Sequence, residues 1–353
     1  MEIAMLPPID GFSHIVDGKQ VCLHIIRSSD KSCSCAITNY GARVVSLNVP
    51  DRQGNLQDVA LGYTSLEGYL EQPEDYMGAV IGRCANTIAA GLFVLEGNTY
   101  ALPINNNHNT LHGGIKGLHA RVWEVVAVNE NKLSLSYHSE DGEEGFPGNV
   151  DIRVSYDWVD DQTLQITYQA QTDRATLINL SNHTYFNLNG TGSDTILDHQ
   201  LQIAADEITA VDETLIPTGK MSPVVDTAFD FTSFRIIGDM INSTGRSLGA
   251  EPGYNHNFVL REGDPALVLR SPVTGIVLSI STDRPGMQVY SGDALKGSIA
   301  GKGGTAYRSQ SGIALEPQSF PDAIHHPQFP SVVLKPGEEY HSESKYHFSS
   351  SEW

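Results

Sequence analysis

Cysteine is scarce in this chain: Cys22, Cys33, Cys35 and Cys84 are all there is. They are too few and too irregularly spaced for a disulfide framework or a zinc knuckle, so free thiols in a reducing compartment are expected. Basic residues are also few, with 22 Lys and Arg against 42 Asp and Glu over 353 residues, a formal net charge of −20. So acidic a chain repels phosphate backbones and anionic lipid. Neither nucleic acid nor a membrane is an expected partner, and a heavily phosphorylated ligand would need a basic cluster that the sequence lacks.

Long apolar runs are missing too. No stretch reaches the roughly 18 residues of a membrane-spanning helix. The opening MEIAMLPPIDGF places Glu2 and a Pro7-Pro8 pair where a secretory leader would have a basic segment and an apolar core. A cytoplasmic location is expected, and the sequons at Asn179, Asn182, Asn189 and Asn242 read as chance matches. A glycine-rich phosphate loop, a nucleophile elbow and a Rossmann fingerprint are absent. His256 and the pair His325-His326 lack zinc or calcium spacing. No cofactor and no metal is expected.

What the chain has in quantity is β-branched and aromatic residues in short runs, punctuated by 33 Gly and 17 Pro. Strands are expected over residues 20–27, 43–49, 122–128 and 133–137. Hairpins are expected for 93–96 with 99–102 about Gly97-Asn98, and for 152–159 with 163–170 about an Asp-rich turn. Helical pieces are confined to residues 65–70 and 236–241. Closely spaced strands joined by hairpins predict an all-β fold, a large antiparallel β-sandwich or closed barrel. With no linker, composition break or repeat, residues 1–353 read as one domain.

Three segments concentrate chemistry-bearing side chains. NNNHNTLHGG (105–114) carries His112 before paired glycines that would let the backbone approach a ligand. NLSNHTYFNL (179–188) places His183 among aromatics, where alternation puts it on one face with Ser181 and Tyr185. Partial desolvation there would move its pKa, which suits proton transfer. GIALEPQSFPD (312–322) sets Glu316 after an apolar strand and before a proline-containing turn, a rigid mounting for a base. A polar turn, a satisfied core histidine and a surface glutamate are the alternatives for each alone. Together, His183 and Glu316 supply two titrating groups of different ordinary pKa, as a two-proton reaction requires.

Taken in order, GRCANTI (82–88), NTLHGG (109–114), EEGFPG (143–148), NHTYFNL (182–188), IPTG (216–219), GYNHNFVL (253–260), PGMQVYSGD (285–293) and ALEPQSFPDAIHHPQFPS (314–331) resemble the aldose 1-epimerase (galactose mutarotase) family over nearly the whole chain. The resemblance implies a β-supersandwich with one open cleft, and a small sugar as substrate for a monomer or homodimer. It also implies an isomerase that interconverts the anomers of a free aldose such as galactose or glucose by ring opening and reclosure. It assigns His183 as general acid to the ring oxygen and Glu316 as general base to the anomeric hydroxyl. His112 matches a second histidine that contacts the sugar, and Asn86 and Gln288 match positions lining the cleft. Two positions depart from the pattern: Thr87 stands where the family usually has Arg, and Asn255 where it usually has Asp. Bidentate charged contacts there become neutral ones, so substrate-binding positions Thr87 and Asn255 point to altered recognition. Two alternatives follow, a different hemiacetal or non-sugar substrate on the same fold, and a noncatalytic carbohydrate-binding protein.

Overall fold

A computed structural model describes residues 6–244 and 252–351. Strand Val150–Trp158 shows why the chain folds as sheet: Val150, Ile152, Val154, Tyr156 and Trp158 are buried while Asp151 and Arg153 face out. That period of two is the pleat itself. Its partner Thr163–Thr172 runs antiparallel in unbroken register from Val150↔Thr172 to Trp158↔Leu164. Both lie in a nine-stranded antiparallel sheet that also takes in Ile276–Thr282 and the C-terminal strand Tyr340–Ser350.

A second, six-stranded sheet carries the chemistry. Its strands are numbered here in chain order: β1 Tyr185–Phe186, β2 Ala205–Val211, β3 Pro217–Pro223, β4 Asn255–Leu260, β5 Gly286–Tyr290 and β6 Ile313–Gln318. They lie in the order β1-β6-β5-β4-β2-β3. One face of this sheet contributes Phe258, Met287, Val289, Ile313 and Leu315 to the main core, where they join Val154, Ile166, Leu278 and Tyr346 of the larger sheet. Truncating a core leucine such as Leu315 to alanine would cost about 2–5 kcal/mol. Alternation then obliges the residues between them to occupy the opposite face. Gln288, Tyr290 and Glu316 are therefore presented away from this core, and all three line a cavity.

The architecture is the all-β sandwich expected, with local corrections. The first hairpin pairs Asn98 with Leu95, so its two turn residues are Glu96 and Gly97, one position earlier than expected. Both have positive φ, 51° and 79°, as a type I′ turn demands. The helix expected over 65–70 is found at Leu66–Glu71. That expected over 236–241 is instead two 3₁₀ turns, Ile237–Asp239 and Ile241–Ser243, interrupted at Met240. All four cysteines are free, three of them buried. Among the described residues no helix is long and apolar enough to cross a membrane.

Candidate active site

Glu316 does not precede a turn, as its sequence context suggested, but sits inside β6, which continues through Pro317 to Gln318. The proline is tolerated because β1 pairs with β6 only at Ile313 and Ala314, leaving no ladder partner there to require a donor. Gln288 lies directly across from Glu316 on β5, and Asn257 across from Gln288 on β4. Continuing the Tyr185↔Ala314 register by two residues brings His183 opposite Glu316 on the other side. Strand pairing thus sets Glu316, Gln288 and Asn257 in one row, and His183, in the break between two short strands rather than inside one continuous strand, ends that row beside Glu316. A parallel row holds Tyr185, Ala314, Tyr290 and Asn255.

His183 Nε2 stands 3.7 Å from Glu316 Oε1, with both side chains almost wholly inaccessible. Burial pushes the Glu316 carboxyl up to about 8. Burial, with a smaller effect of the Arg43 guanidinium, brings His183 down to about 4. A charged group in a low-dielectric surrounding is disfavoured in either case, so the free site between those values holds one proton for the pair.

His112 joins from the loop that the sequence singled out. Its backbone N–H donates to the Asn86 carbonyl at 3.0 Å, and the Asn86 N–H donates to His112 Nδ1 at 3.1 Å. A backbone N–H can only donate, so Nδ1 must carry a lone pair and Nε2 the proton. Burial and the neighbouring His183 and His119 hold His112 well below its ordinary pKa, in keeping with that neutral tautomer. Its ring meets that of His183 edge to face at 5.2 Å.

Sequence reasoning missed Tyr76. Its ring packs against His112 at 4.6 Å, His119 at 4.7 Å and His183 at 5.8 Å. It follows a short 3₁₀ turn in the left-handed region, φ 52°, and no local motif marks it. Tyr185 and Tyr290, inside segments already quoted, lie near His183, the first tilted at 4.9 Å and the second edge to face at 6.2 Å.

The remaining sequence candidates also reach the cavity. Asn86, Thr87, Asn255 and Gln288 line it together with His112, His183 and Glu316, around a volume of about 440 Å³. Gln288 Nε2 donates to Asn255 Oδ1 at 2.6 Å. Other singled-out residues are structural. Arg83 of the first motif is buried and donates to the carbonyls of Ser139, Glu140, Pro147 and Gly148, clamping the 143–148 motif. Asn105 closes its own loop through Leu111 and Gly114. His325 and His326 both face Asp322.

Among the described residues, His112, His183 and Glu316 form a group whose potential ligand atoms lie within 4.8 Å of one another. Metal ligation needs a lone pair on each inward atom. The Asn86 N–H fixes the inward Nε2 of His112 as a donor, so the trio does not fit a metal as it stands.

Fold and site together define a mutarotase-like β-sandwich with a buried imidazole–carboxyl pair at its cavity. The family model described as aldose 1-epimerase matches residues 24–347, and the chain belongs to that family, a family of isomerases. It is 43% identical to galactose mutarotase of Homo sapiens over 316 residues, 89% of this chain and 90% of that one. It is 37% identical to aldose 1-epimerase of Escherichia coli, over 88% of this chain and 91% of that one. A solved aldose epimerase homologue from C. elegans superposes with a TM-score of 0.86 at 33% identity, covering 94% of this chain and 99% of that structure.

Proposed function

We propose that this protein interconverts the α and β anomers of a free aldose by acid–base catalysis at His183 and Glu316. One observation carries the reading: an imidazole and a carboxyl group stand 3.7 Å apart, buried at the cavity, where burial shifts the pKa of the one down and of the other up. Ring opening requires the acid to protonate the ring oxygen while its bond to the anomeric carbon breaks, and the base to take the anomeric hydroxyl proton. Rotation about the bond next to the new aldehyde, and reclosure with roles exchanged, gives the other anomer. The proton stands on His183 when the ring is closed and on Glu316 when it is open. A free site that stores the proton on Glu316 is therefore the midpoint arrangement of the same cycle.

His112 Nε2–H, fixed as a donor, serves to bind a sugar oxygen beside the pair. Gln288 and Asn255 offer amide groups to hydroxyls, with Asn86 and Thr87 on the adjoining wall. A main core drawing on residues from Ile26 to Phe348 supports reading the chain as one catalytic domain. The net charge of −20 disfavours nucleic acid and anionic membranes as partners and is compatible with a small sugar substrate; we read the protein as a cytoplasmic monomer or homodimer. Polarimetry on freshly dissolved α-D-glucose and α-D-galactose tests the activity: faster approach to rotational equilibrium is expected, and an unchanged rate with both would refute it.

A further inference from the structure

The cavity wall beyond His183 and Glu316 is strongly biased in charge. Glu74, Asp75, Glu213 and Asp293 line it, whereas Lys296 is the one Lys or Arg among the described lining residues. With the pair itself neutral, that leaves a formal charge of −3. The nearby guanidinium of Arg43 does not offset it at the ligand, because Arg43 is buried and committed to the Met77 and His119 carbonyls. Thr87 and Asn255 add no charge.

Within this wall the carboxyl groups are not scattered. Asp75, Asp293 and Glu316 all act electrostatically on both Tyr185 and Tyr290, whose rings meet edge to face with centroids 5.9 Å apart. Three carboxyl groups and this aromatic pair line the same cavity. Asp293 is 4% exposed and its Oδ1 has no hydrogen-bond partner among the described residues. That oxygen is closed off against Gly253, so a cation can offset the cost of the buried carboxylate only from the side on which Asp293 lines the cavity. Burial raises Asp293 to about 6, the response of a carboxyl group that lacks a cation. Asp75 differs in that it accepts from the Tyr63 hydroxyl at 2.9 Å.

We propose that the site is tuned for an aldose bearing an ammonium group, an amino sugar, with its anomeric carbon at His183 and Glu316 and its cation beside Tyr290 and Asp293 in the field of Asp75. This rests on the anomer-interconverting reading and adds a substrate class to it. An ammonium group there gains carboxylate partners and the electron-rich faces of tyrosine rings. The neutral parent sugar gains neither, and a uronate or sugar phosphate meets repulsion.

The test compares D-glucose, 2-amino-2-deoxy-D-glucose, 6-amino-6-deoxy-D-glucose and D-glucuronate by proton NMR exchange between anomers. It is run at about pH 6.5, where a sugar amine is charged, in low and high salt. The better amino sugar should show kcat/KM about 10-fold above glucose at low salt, and glucuronate about 10-fold below, with both ratios shrinking as salt screens the field. Asp293→Asn and Asp75→Asn should each lower the amino-to-neutral ratio several-fold in folded protein, checked by circular dichroism. Glucose turnover without an advantage for either amino sugar, or a ratio unmoved by both substitutions, overturns the charge preference alone. Absence of turnover on every sugar overturns the anomer-interconverting reading and this inference with it.

Discussion

Asn86 and His112 hold each other by two hydrogen bonds, the His112 N–H to the Asn86 carbonyl at 3.0 Å and the Asn86 N–H to His112 Nδ1 at 3.1 Å. Both residues have positive φ, 63° and 50°, a conformation that asparagine and histidine adopt more readily than most side chains. The second bond decides the chemistry of the far ring nitrogen. His112→Ala should therefore raise KM and lower kcat together, since a fixed donor holds the bound sugar and bonds more strongly to the charge that develops on its oxygen in the transition state. His112→Gln, whose amide can still donate, should recover part of the loss. A change in melting temperature alone would mark His112 as a packing residue.

For the pair itself, His183→Ala and Glu316→Ala should each reduce kcat by at least about 10²-fold, the lower range for loss of a general acid or base. Circular dichroism should show the fold retained. Wild-type turnover in either variant would remove that residue from the mechanism.

The pH profile follows from the proton count. Below about 4 His183 also binds a proton, and the pair has no base. Above about 8 Glu316 loses its proton, and the pair has no acid. Turnover should be bell-shaped between those limits, with the alkaline limb set by Glu316. The alkaline limb should vanish in Glu316→Gln, whose residual rate is measured by anomer exchange. A limb that persists there belongs to another group.

Because His112 turns a proton toward His183 and Glu316, the three do not supply three metal ligands. Dialysis against a chelator should leave anomer exchange unaltered. Loss of activity restored by a divalent ion would show that the His112 ring reorients to bind metal.

The legible parts of this molecule are those with local pattern. Alternation marked the strand expected over 152–159 and found at Val150–Trp158, because every second residue from Val150 to Trp158 is buried while those between are exposed or half-buried. Composition marked the segments of His112, His183 and Glu316. What could not be read is the distance between them, since the row from His183 to Asn257 is assembled from four separate stretches. Tyr76 was missed because its role lies in packing three imidazoles brought in by other segments. The 236–241 segment misled because its apolar residues have a helical spacing, yet Ile237 and Ile241 are buried by two successive 3₁₀ turns instead.

Thr87 and Asn255 are half-buried residues that face the same cavity. If they were mere drift, Thr87→Arg with Asn255→Asp should improve turnover of galactose and glucose. The structure argues otherwise. Asn255 is already engaged, accepting from Gln288 Nε2 at 2.6 Å, and Thr87 is held in a short strand opposite Leu111. A guanidinium at 87 would occupy volume the ligand uses, and a charge left unpaired in a partly buried wall costs up to several kcal/mol. It would also place a cation in a cavity whose bias is negative, so any preference for amino sugars should fall in the Thr87→Arg single variant. The expected outcome is no gain on galactose or glucose in the double variant. A double-mutant cycle on both sugars separates the contributions, non-additive effects showing that the two positions act on one ligand. A clear gain on galactose when both charges are restored would mean that Thr87 and Asn255 do not encode a different substrate.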